Sequence, residues 1–98
     1  MRYKFLPLGK IDRYVPEMER RKVSEVARSK RGFLTAYREA GGNPEALSPE
    51  WIAKRDGFIA RHMAQVIAND ESLIVDGEPT RRHLALIAWA YSPVARKL

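Results

Sequence analysis

The sequence predicts an all-α fold: a small bundle of three main helices, or four if the first divides, around a central helix at 49–68, with an extended N-terminal arm. Three observations predict it. Ser48, Pro49 and Glu50 form a strong helix start, with an N-capping side chain, a proline suited to the first turn and an acid near the positive pole. Apolar residues recur at helical spacing through 16–40 and 49–68. The run LALIAWAY, residues 84–91, is apolar on every side and is bounded by Pro79 and Pro93, which predicts a buried helix over 79–91.

Residues 1–15 read as the arm. Tyr3, Phe5 and Leu8 are placed to pack on the body, and Pro7 and Gly9 argue against a helix there. A first helix is predicted over 16–40. Pro16 suits its first turn, and Gly41 and Gly42 supply the stop. Val23, Val26, Ala27, Phe33, Leu34 and Tyr37 share one side of it. Lys30 falls in the middle of that side and Gly32 follows it, so SKRG is the place where this helix would break in two.

Residues 41–48 form a loop, and the central helix follows. Its broad apolar side is Trp51, Ile52, Phe58, Ile59, Met63 and Val66; Ala53, Gly57, Ala60, Ala64 and Ala68 form a second stripe of small residues. So narrow a polar sector predicts neighbours on two sides. SLIVDGEPT is a connector with a turn at Asp76–Gly77 and one short extended piece at Leu73–Val75. The last helix begins near Pro79 or Thr80.

Composition bounds the chemistry. The 98 residues suit one domain with a real core. The absence of cysteine excludes disulfides, thiolate catalysis and cysteine zinc sites. Two histidines argue against a structural zinc site. No metal or cofactor is expected. The longest apolar stretch is far short of a membrane span, and the N-terminus does not read as a signal peptide, so no membrane partner and a cytoplasmic location are expected.

Eighteen Lys and Arg against twelve Asp and Glu give a net charge of +6. Residues 20–38 hold seven bases and one acid, Glu25, so this stretch equals the whole net charge, while 69–79 holds four acids and no base. Polarised positive charge suggests a polyanionic partner, usually nucleic acid. On the predicted first helix, Arg21, Arg28, Arg31 and Arg38 fall within a sector of about 100° opposite the apolar stripe, a spacing that can track a phosphate backbone. A solvated face relieved by Glu17, Glu25 and Glu39 is the plainer alternative.

Thr80, Arg81, Arg82 and His83 raise a sharper question, because cationic groups oppose the positive pole of a helix start. Free N–H groups and two guanidinium forks there form an anion site. Pairing with Asp76 and Glu78 would make them ordinary surface residues instead. Arg55 and His62, seven residues apart, both project from the apolar side of the central helix, and a buried guanidinium needs a partner. Either each is structurally satisfied, or they join Thr80, Arg82 and His83 in one anion pocket.

VSEVARSKRGFLTAYREAGG also fits a weak helix-turn-helix pattern with SKRG as the turn. No phosphate loop, nucleophile elbow, HExxH or calcium loop occurs, so an enzyme is the minority reading. The leading reading is a small basic protein that binds DNA or RNA without catalysis. The alternatives are an interaction module docking on an acidic protein partner and a small-anion or enzymatic pocket.

Overall fold

Helix formation begins earlier than the sequence predicts. The computed structural model describes residues 4–91, so Tyr3 and the basic tail lie outside the described residues. Helix α1 spans Leu8–Arg21, where an arm to residue 15 was expected. Pro7 only precedes it and Gly9 falls in its first turn, where breakers cost little. Pro16 lies inside the helix and not at its start. Buried Ile11 and Met18, with Leu8, Tyr14 and Val15 packed on the core, supply an apolar stripe that outweighs the missing proline N–H.

The predicted 16–40 helix is therefore broken, and the break is wider than SKRG. Residues 22–32 form a series of turns, and α2 is short, Phe33–Glu39. Lys22 and Ser24 both take left-handed backbone conformations. Within the turns, Ser29 Oγ donates to the Val26 carbonyl at 2.6 Å and Thr35 Oγ1 to the Ser29 carbonyl at 2.7 Å. The helix-turn-helix reading fails here, since residues 23–28 form turns and supply no first helix.

A 3-10 turn at Pro44–Ala46 leads into α3, Pro49–Asn69. Ser48 caps it by accepting from the Trp51 N–H, as its sequence predicts. The turn Asp76–Gly77, both residues at positive φ, joins two-residue strands β1, Ile74–Val75, and β2, Glu78–Pro79, paired antiparallel in the register Ile74 with Pro79. The second strand was not predicted. Helix α4 is Arg81–Ala88, shorter than the expected 79–91, because Ala90 and Tyr91 leave it to pair with the arm. There Leu6 N–H donates to the Ala90 carbonyl at 2.7 Å.

The core gathers Ile11, Met18, Phe33, Leu34, Tyr37, Leu84 and Ile87 from three helices. A smaller cluster places Ile59, Met63 and Val66 of α3 against Leu86 and Tyr91. Helix α3 is less enclosed than expected. Ala53, Ala60, Ala64, Ala68 and Ile67 are exposed, so no second neighbour covers the small-residue stripe among the described residues. No helix among the described residues is long and apolar enough to cross a membrane.

Candidate anion-binding groove

The cations at the start of α4 are drawn away from its positive pole. Thr80 is the cap: its hydroxyl oxygen accepts the His83 N–H at 3.2 Å. Arg81 reaches the opposite pole of another helix. Its Nη1 donates to the Arg21 carbonyl at 2.6 Å and its Nη2 to the Lys22 carbonyl at 3.1 Å, at the C-terminal end of α1, where a cation is favoured.

Arg82 forms a fork with Glu71, which lies just past the end of α3. The Nε–Oε1 distance is 2.6 Å and the Nη2–Oε2 distance 3.1 Å. The carboxylate partner is thus Glu71, and not Asp76 or Glu78. The remaining nitrogen, Nη1, lies 2.9 Å from His62 Nδ1. A guanidinium only donates, so Nδ1 must accept and the neutral imidazole carries its proton on Nε2. Burial, then the guanidiniums of Arg82 and Arg61, push the His62 pKa down, against a smaller upward pull from Glu71. The hydrogen bond from Arg82 holds the Glu71 carboxyl below the usual range.

His62 is also the outer ring of an aromatic column. Its centroid is 4.2 Å from Phe58, Phe58 is 4.7 Å from Trp89, and Trp89 is 5.1 Å from Phe33 in the core. The position of the imidazole is therefore set by packing as well as by charge.

These groups wall an open groove of about 610 Å³. Arg81, Arg82, His62 and Glu71 line it with three hydroxyl residues, Ser24, Ser72 and Thr80. The left-handed turn at Lys22–Ser24 forms one bank, which places exposed Lys22 beside groove-lining Val23. Sequence reasoning missed Glu71, Ser24 and Ser72. None belongs to a local motif, and only the folded chain brings residues 24, 62, 71 and 82 together.

The remaining predicted residues are dispersed. Arg21, Arg28, Arg31 and Arg38 do not share a helix face, since 22–32 is not helical. Arg21 donates to the Pro79 carbonyl at 3.1 Å and pairs with Glu17. Arg28 turns back on the Val23 carbonyl, and Arg38 pairs with Asp12 at 2.6 Å. Arg31 is exposed in the turns with no partner among the described residues.

Arg55 and His83 do not join the groove. Arg55 is fully buried and donates to the carbonyls of Lys4, Trp89 and Ala90, pairs with Asp56 at 2.6 Å and lies 3.6 Å from the Phe5 ring centre. Its role is to tie the arm to the end of α4. His83 is buried, and Nδ1 donates to the Leu73 carbonyl at 2.9 Å. The single pocket of Arg55, His62, Thr80 and His83 is thus divided, and only His62 and Thr80 share the groove. No protein-family model, curated protein or solved structure matches the chain.

Proposed function

We propose that the protein binds nucleic acid without catalysis, holding the sugar-phosphate backbone along this groove. The observation that carries the reading is the groove wall. Arg81 has no carboxylate partner among the described residues, His62 presents an Nε2–H donor, and the Ser24 and Ser72 hydroxyls lie in the same wall. A groove this open suits an extended polyanion better than an enclosed small molecule. Lys22, Lys30 and Arg31, all exposed and without carboxylate partners among the described residues, extend the positive charge along the adjoining turns. Glu71 neutralises Arg82, whose part is to hold His62 in place.

Fluorescence anisotropy with a random duplex and a single strand tests the reading. Affinity should fall steeply with salt, and Arg81→Gln should reduce the slope of log K against log salt by about 1, the share of a single phosphate contact. Absence of binding to either oligonucleotide at low salt would overturn the proposal.

A second reading is favoured by the exposed stripe Ala53, Ala60, Ala64, Ile67 and Ala68, flanked by exposed Lys54 and Arg61. Small residues allow close approach of a partner helix, and the flanking cations suit an acidic one. A pull-down that recovers one stoichiometric protein after nuclease treatment would favour this reading over the first.

A further inference from the structure

We propose that a second cavity, of about 240 Å³ and walled by α1, β1 and α4, binds a small carboxylate that has an apolar body and a hydroxyl group. It shares no lining residue with the groove.

Its lining makes three chemical demands. Leu6, Ile74 and Ile87 supply apolar walls, which suit a ring or a branched hydrocarbon. Lys10 and Arg13, three residues apart on α1, line the cavity from an exposed position. Neither has a carboxylate partner among the described residues, and no carboxylate lines the cavity, so an anion is the complement they lack.

His83 makes the third demand. Only 6% of it is exposed, and its ring lines the cavity. The Leu73 carbonyl can only accept, so Nδ1 carries the proton. Nε2 of the neutral ring is then a bare lone pair with no partner among the described residues. No buried side-chain nitrogen or oxygen among them is left unsatisfied, so Nε2 is not sealed in protein, and the residue that carries it lines the cavity. Burial pushes the pKa of this imidazole down, outweighing the upward effect of the Leu73 carbonyl, which keeps the lone pair available at neutral pH. A lone pair in a largely apolar enclosure calls for a hydroxyl donor. The volume lies below the range of about 300–1,000 Å³ typical of drug-sized sites, so the ligand is restricted to roughly ten non-hydrogen atoms.

The test uses the intact chain and two probes, 4-hydroxybenzoate and 2-hydroxy-4-methylpentanoate, titrated by calorimetry and by NMR of the histidine ring nitrogens. At least one should bind saturably at a single site. Benzoate, which lacks the hydroxyl, should bind about tenfold more weakly than 4-hydroxybenzoate if the latter is the binder, and 4-methylpentanoate should lose as much in the other series. Arg13→Gln, an exposed change expected to leave the fold intact, should weaken binding by a similar factor. The His83 Nε2 signal should move on binding while that of His62 stays in place. The proposal is overturned if neither probe saturates by about 10 mM, if Arg13→Gln or loss of the hydroxyl leaves affinity unchanged, or if the His83 signal does not respond.

Discussion

Gly32 sets the limits of the turn that separates α1 from α2. A Cβ built there would lie 2.1 Å from the Val26 carbonyl oxygen and 2.3 Å from that of Ala27. Both obstacles are backbone, so no side chain can yield. Gly32→Ala should cost about 3 kcal/mol, at the upper end of overpacking changes, and should be visible as a lower denaturant midpoint with an unchanged slope. An unaltered midpoint would mean that the turn repacks freely. The sequence flagged this glycine as a weak point in a helix. It could not show that two carbonyls five and six residues earlier occupy the space of its side chain. Arg55 was more legible, because a cation on an apolar face must be compensated. The choice of carbonyls from Lys4, Trp89 and Ala90 depended on the fold.

The helices share one manner of ending. After α1, α2, α3 and α4, the chain turns left-handed at Lys22, Gly41, Asp70 and Ala90. In each case the next residue donates back five positions: Val23 to Met18, Gly42 to Tyr37, Glu71 to Val66 and Tyr91 to Leu86. Only one of the four left-handed residues is the glycine this geometry favours. Asp70 is doubly ill-suited, since its charge also opposes the negative end of the α3 dipole. Asp70→Gly should therefore raise stability by about 0.5–1 kcal/mol, measurable as a higher melting temperature. A fall would show that its side chain supports the connection to Glu71. These endings explain which boundaries the sequence disclosed. Gly41 and the Ser48 cap were readable from residue type. The stop at Lys22 was not, because lysine carries no turn signal and the stop depends on packing around Val23 and Met18.

For the molecule as a whole, positive charge is dispersed more than the sequence implied. The basic stretch at 20–38 resolves into inward-turned, paired and free cations. The predicted common helix face was lost with the helix that would have carried it. Both histidines, in contrast, are held neutral by the fold. Their folded pKa values lie below the ordinary 6.5, so the unfolded chain binds more protons in acid. This contribution to stability is complete above about pH 6.5 and is lost as pH falls toward the folded values. Glu71, lowered from 4.5, adds a second loss at lower pH. The melting temperature should be level above about pH 7 and decline through pH 6 and 5. His62→Gln should flatten the first part of that decline. A melting temperature constant from pH 7.5 to 5 would contradict the neutral state assigned to the two rings.

The meeting of Phe5 with Tyr91, locked by the Arg55 guanidinium beneath it, has a kinetic consequence. During synthesis the arm is made well before its resting place, which is completed by the segment around residue 91, more than eighty positions later. Until then the nascent chain holds a helix whose innermost charge lacks the carbonyls of Trp89 and Ala90. Closure of that ring therefore waits on the segment around residue 91. Translation pauses ahead of it would leave the greasy side of the middle helix open to chaperones or to other unfinished copies.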